Sequence, residues 1–204
     1  MNDTFTEADL APSPEERSAR IRSIVDRIAA SLAVLAAGTY IGGLVALGAC
    51  AAPFVFRLTP APFSGDAMGA AFARFDQIAI GASVVALGTE VVRTFVAART
   101  ARTITQRLRR FCAMFMAFSA GYVGLMLTPR ITELHRAGVQ RDGSPQGMLL
   151  DAVHHRAELF GKVGIVFAFG LVVLSIFTIR SFSPDYEADE DEAQAPLPPG
   201  PRED

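Results

Sequence analysis

The sequence predicts an all-α fold, a four-helix bundle that is integral to a membrane and ends in disordered polar termini. Four apolar runs occupy the middle of the chain, and the longest extends from Ile28 to Phe56 without a charge. A hydrocarbon core about 30 Å thick needs about 20 residues of helix, and a helix satisfies its own backbone hydrogen bonds in lipid. The chain lacks the ten-residue alternating segments that are typical of membrane barrels.

Charge is distributed unevenly along the chain, although the net charge is only −2 over 204 residues. Residues 27–180 carry an excess of eight basic residues, and the two tails together carry an excess of ten acidic residues. A basic, apolar middle between acidic ends argues against a soluble domain with a single core. It also argues against a nucleic-acid partner, because the basic residues alternate with apolar runs instead of sharing one surface. The expected partner is the lipid bilayer.

Three segments follow from this distribution: a polar cytoplasmic segment 1–27, a transmembrane domain 28–180, and an acidic, proline-rich tail 181–204. The predicted spans are residues 28–53, 75–98, 110–129 and 157–180. Pro53 is expected to end the first span and to begin an extended loop. The tail has little apolar surface to bury, so we expect disorder, with either a solvated role or docking to an unknown protein partner.

The arginines predict the orientation of the spans. If the N-terminus is cytoplasmic, twelve arginines lie on the cytoplasmic side and six lie outside. Because cytoplasmic loops are enriched in Lys and Arg, both termini are predicted to be cytoplasmic. The expected location is the bacterial inner membrane.

Small residues recur every four positions in the first span, at Gly38, Gly42 and Ala46. In lipid, helices associate through such positions because the backbones can approach closely. We expect this face to pack against another helix of the same bundle, with a homo-oligomer contact as the alternative.

Glu90 lies well inside the second apolar run, and Arg93 follows it by three residues. Ionisable groups at membrane depth are costly and are therefore functional candidates. Because both residues lie near the cytoplasmic end of one helix, the pattern favours an ion pair between them at the interface. The alternative is a proton or substrate site.

All three histidines flank the second outer loop, and carboxylates lie near them. Imidazole and carboxylate groups at one membrane surface could hold a transition metal, with His135, His155 and Glu158 as candidate ligands. The spacing does not oblige the histidines to face one another, so no cofactor is predicted and metal or haem binding stays an alternative. Neither a nucleophile elbow, nor a phosphate loop, nor a helical zinc-ligand pair is present, so no enzyme activity is predicted.

Four short segments resemble one family: "GACAAPFVFRLTPAPFSG", "AFARFDQIAIGAS", "LTPRITELH" and "HHRAELFGKVG". They are similar to the transmembrane protein 205-like family, whose bacterial relatives form domain of unknown function 4149. The matching positions are Pro53, Pro129, Arg130, His155 and Gly164. The resemblance implies a four-helix integral membrane protein and leaves its biochemical role open.

The function predicted from the sequence is that of a non-enzymatic multi-pass membrane protein acting through helix–helix assembly or partner interaction. The alternative is a metal- or haem-linked component of transport or electron transfer that uses the outer-face histidines.

Overall fold

The computed structural model describes residues 13–60, 63–96, 104–140 and 142–179. These residues form four long helices and no strand: α1 Pro14–Leu58, α2 Phe63–Val96, α3 Ile104–Arg136 and α4 Pro145–Phe177. Each helix is long and apolar enough to cross a membrane. The predicted all-α membrane bundle is thereby confirmed. The predicted tail 181–204 and the first twelve residues lie outside the described residues.

The bundle comprises Ile24–Ile179, and the start of α1, up to Ser23, belongs to a second unit. In that unit α1 begins with a capping box, in which Ser13 and Glu16 each accept a hydrogen bond from the other's backbone N–H, at 3.2 and 2.7 Å.

Helix α4 also begins with a cap, because Ser144 Oγ accepts a hydrogen bond from Gly147 N at 3.0 Å. The preceding Asp142 Oδ1 accepts one from Ser144 N at 3.1 Å. Hydrogen bonds from Ser144 hold the pKa of the exposed Asp142 carboxyl below its usual range.

Two prolines lie inside helices, and a π-helical turn precedes each of them. Ala46–Ala51 is π-helical before Pro53 in α1, and Val123–Leu127 is π-helical before Pro129 in α3. Proline lacks an N–H and its ring clashes with the carbonyl four residues earlier, so a wider turn accommodates it without ending the helix. The prediction that the chain leaves the helix at Pro53 is therefore wrong, because α1 continues to Leu58.

Alanines make up much of the buried core, whereas many large apolar side chains lie on the exterior. Alanines of α1 such as Ala33 and Ala37 are fully buried, as are Met116 of α3 and Leu171 of α4. By contrast, large apolar side chains cover the exterior, with Phe95 84% exposed. Such a surface would be unfavourable in water and suits a hydrocarbon solvent.

Candidate functional site

Five polar side chains meet at the end of the bundle where α2 ends and α3 begins. Every helix supplies at least one of them, if Thr178, the residue that caps the end of α4, is included. We call this group the inner network; its members are Asp26, Glu90, Arg93, Arg109 and Thr178. Glu90, Arg93 and Arg109 are each at most 4% exposed, so the charges must be balanced within the protein.

Two ion pairs between helices supply that balance. Arg109 Nε of α3 donates to both carboxylate oxygens of Glu90 of α2, at 2.6 and 2.8 Å. Arg93 of α2 donates to Asp26 of α1 through Nε at 2.8 Å and through Nη2 at 3.3 Å. The predicted ion pair between Glu90 and Arg93 is therefore not formed, because each residue has a closer partner of opposite charge on a neighbouring helix.

Thr178 connects the two pairs. Its Oγ1 accepts from Arg93 Nη2 at 3.2 Å and from Arg109 Nη1 at 2.8 Å, and it donates to Leu174 O at 2.7 Å. A single hydroxyl thus joins the ion pairs of α1–α2 and α2–α3 to the end of α4.

Three atoms at this end of the bundle remain without a hydrogen-bond partner among the described residues, namely Arg93 Nη1, Arg110 Nε and the fully buried Ser175 Oγ. Since buried polar groups are nearly always paired, these atoms leave the inner network incompletely satisfied.

A second polar cluster lies nearer the opposite end, between α2 and α3. Asp76 of α2 is 8% exposed, and its Oδ2 accepts a hydrogen bond of 2.5 Å from Thr128 Oγ1 of α3. The π-helical turn Val123–Leu127 comes directly before Thr128. Within it, Gly124 permits close approach, since a Cβ built there would lie 3.0 Å from the Asp76 Cβ.

Asp76 also lines a cavity of about 440 Å³ between the same two helices. We call it the α2–α3 cavity. Its apolar wall includes Ile80 and Leu125, and its polar wall includes Gln77 and Thr132. Glu133 and Arg136 complete the lining near the end of α3, and Glu133 is held by Arg130 at 2.9 Å. A buried carboxylate in a largely apolar cavity is an arrangement suited to ligand binding.

The predicted packing face of α1 does not take part in the bundle. Gly38, Gly42 and Ala46 are exposed, and a Cβ added at either glycine would have no neighbour within 4 Å. The buried side of α1 is instead formed by alanines and Tyr40. The preferred prediction of internal packing is therefore wrong. Two positions rotate a helix by about 200°, so Gly42 points away from the side that Tyr40 buries.

Gly164, one of the family positions, has a clear packing role. A Cβ at this residue would overlap the phenol of Tyr40, which is itself 2% exposed. Glycine is therefore needed where α4 meets α1. The other family positions Pro53 and Pro129 follow the π-helical turns, while Arg130 is exposed and pairs with Glu133.

The candidate metal ligands are not assembled into one site. The ring of His135 lies 5.6 Å from that of His154, whereas His155 is exposed. Glu158 accepts a hydrogen bond from Lys162 at 2.6 Å. Within the described ranges no group of three metal-binding side chains occurs. Metal or haem binding stays a prediction without support from this geometry.

A comparison with known protein families finds one that matches the part of the chain containing most of the residues described above. The family described as Domain of unknown function (DUF4149) matches residues 35–140, just over half of the chain. This chain belongs to the DUF4149 family. Within the matched range lie the glycine face of α1, both π-helical turns, Asp76 and the Glu90–Arg109 pair. His155 and Gly164 lie beyond it, so the resemblance at the fourth helix stays a prediction. No curated protein and no solved structure matches the chain.

Sequence reasoning missed four residues of this DUF4149 protein: Asp26, Asp76, Arg109 and Thr178. Asp76 directly follows Phe75, where the second apolar run begins. An acid at the start of an apolar run is the feature of the sequence that could have marked it as a buried carboxylate. Asp26 and Arg109 lie in the polar segments that flank the predicted spans. Their burial depends on partners in other helices, and sequence spacing along one helix carries no information about those partners.

Proposed function

We propose that this DUF4149 protein acts as a non-enzymatic multi-pass protein of the inner membrane, with both termini cytoplasmic, and that it works by helix–helix assembly with a second copy of itself. The observation that carries the proposal is the exposed side of α1. There Gly38, Gly42 and Ala46 form a continuous small-residue surface, and it lies opposite the side that packs in the bundle.

The residues around this small-residue surface of α1 favour the docking of another helix. A groove of about 290 Å³ between α1 and α2 borders it, and Leu35, Thr39 and Gly81 are among its lining residues. Gly81 also has no neighbour within 4 Å of an added Cβ. In lipid, where the hydrophobic effect gives no advantage to helix association, close backbone contact between small residues supplies van der Waals packing instead.

A second copy is the occupant to which the proposal commits. Repeats of small residues four apart are self-complementary, since the same surface on two helices can form one contact. Basic residues near the cytoplasmic ends would then place two copies in the same orientation in the membrane.

The test is the oligomeric state of Gly42→Leu in detergent micelles and in liposomes. The wild-type chain should be a dimer or larger by light scattering and by single-molecule photobleaching, and Gly42→Leu should be monomeric with an unchanged Tm. The matched control is Gly121→Leu on α3, where an added Cβ also has no neighbour within 4 Å. A monomeric wild-type chain in liposomes, or a Gly42→Leu variant that still assembles, would refute the proposal.

A further inference from the structure

We propose that the α2–α3 cavity is a binding site for a small organic cation, a primary alkylammonium whose charged end pairs with Asp76. The inference does not require the assembly of α1, because the cavity lies between α2 and α3. It starts from the difference between the two buried acids of α2.

Glu90 and Asp76 lie on the same helix and are similarly buried, yet only Glu90 has a cationic partner. Arg109 neutralises Glu90 at 2.6 Å. Asp76 forms no ion pair with any described residue, and Thr128 is the hydrogen-bond donor to its Oδ2. An isolated carboxylate is costly in a low-dielectric interior, so a cation bound beside Asp76 would stabilise its ionised form.

The cavity provides space for that charge beside the carboxylate. Its volume, about 440 Å³, falls within the usual range for small-molecule sites, about 300–1,000 Å³. Asp76 reaches it from α2, and the hydroxyls of Thr128 and Thr132 reach it from α3. These oxygens can accept hydrogen bonds from an ammonium group, which has three N–H donors and no acceptor.

The remaining lining favours an organic ligand over a bare metal ion. Ile80, Leu125 and Ala73 form an apolar wall that can contact a short alkyl chain. Ca²⁺ takes six to eight oxygen ligands in proteins, and the described residues contain no group of three metal-binding side chains.

Charges around the cavity are consistent with a cation. From α2, Arg74 Nη1 donates a hydrogen bond to Gln77 Oε1 at 2.9 Å. From α3, Glu133 and Arg136 line the cavity with opposite charges, and Arg130 holds Glu133. The lining residues therefore carry a net charge of −1 when Asp76 is ionised.

The experiment uses the full chain in a non-ionic detergent and an amine-free buffer, titrated with butylammonium chloride in a calorimeter. Saturable binding is expected for the wild-type chain, and 1-butanol and butyrate at the same concentrations should not bind. Asp76→Asn should weaken butylammonium binding by about tenfold or more, because the carboxylate is lost with almost no change of shape. Asp66→Asn, an exposed acid on the same helix, should leave it unchanged.

A second variant keeps the test decisive if Asp76→Asn does not fold. Ala73→Leu fills the cavity and preserves the carboxylate, so it should also weaken binding by about tenfold or more. No saturable binding to the wild-type chain, equal binding of 1-butanol, or full binding by Asp76→Asn or Ala73→Leu would overturn the proposal. Loss of binding upon addition of magnesium or calcium chloride at equal ionic strength would also overturn it, since the site would then prefer a metal.

Discussion

Arg109 and Glu90 form an ion pair across α2 and α3 in which one nitrogen, Nε, donates to both carboxylate oxygens, at 2.6 and 2.8 Å. Both side chains are at least 95% buried. Around them the exterior of the bundle is apolar, so the usual arrangement of a water-soluble protein is reversed at this end. Charged residues hold the helix ends together from inside, while phenylalanine, isoleucine and leucine face outward.

Glu90→Gln should destabilise the bundle by roughly 3–5 kcal/mol, because the buried Arg109 charge loses its counter-ion. The free energy of unfolding in mixed detergent micelles measures this effect. The control is Glu158→Gln, which breaks the exposed pair with Lys162 and should have a much smaller effect because solvent screens that pair. The double variant Glu90→Gln, Arg109→Gln should be more stable than Glu90→Gln alone; equal or lower stability would count against a buried charge as the cause.

Thr178→Val should lower the free energy of unfolding by about 1–3 kcal/mol, because donors of both Arg93 and Arg109 lose a buried acceptor. Thr94→Val is the matched control. The Thr94 hydroxyl donates only to Glu90 O of its own helix, at 2.6 Å, so its loss should have a smaller effect. Equal effects of the two variants would show that Thr178 does not connect the ion pairs.

Gly164→Ala should destabilise the bundle by about 1–3 kcal/mol, because the new methyl group overlaps the buried Tyr40 phenol. Gly161→Ala, one helical turn earlier, has open space at its Cβ and should be neutral or stabilising by up to about 1 kcal/mol. Thermal unfolding of both variants measures the contrast. If both variants behave alike, close approach of α1 and α4 is not what requires glycine at position 164.

Ser144→Ala should cost about 1 kcal/mol of stability, because α4 loses the side-chain acceptor for Gly147 N. Ser31→Ala provides the comparison, since Ser31 Oγ donates only to Arg27 O of its own helix. Denaturant unfolding of the two variants should rank Ser144→Ala as the less stable.

The Asp142 carboxyl should titrate below its unfolded pKa of about 3.9, and Ser144→Ala should raise its pKa. Because the folded pKa is the lower one, the ionised Asp142 carboxylate stabilises the folded state above the unfolded pKa. This stabilisation is lost as the pH falls through the folded pKa. An NMR titration of the Asp142 carboxyl carbon in both chains tests the direction. An unchanged midpoint in Ser144→Ala would exclude the serine hydroxyl as a cause.

Spacing along the chain predicted four long apolar helices, because each apolar run has the length that lipid requires. It failed at Pro53, since a proline is compatible with either a helix end or a π-helical turn. It failed again at Gly38 and Gly42. A small-residue pattern identifies a surface for close packing but not which helix covers it, and α1 carries small residues on two opposite sides.

The sequence by itself determined the class of this protein: four apolar helices, basic connections and acidic ends, since lipid selects for length and composition in each segment separately. Only the tertiary structure decided the partners of its buried charges. Glu90 pairs with Arg109 and not with Arg93, Asp76 meets Thr128, and Tyr40 requires Gly164. Each of these contacts joins two different helices, so it depends on how both helices are rotated and on how deep they lie in the membrane. The residue pattern of either helix alone does not contain that information.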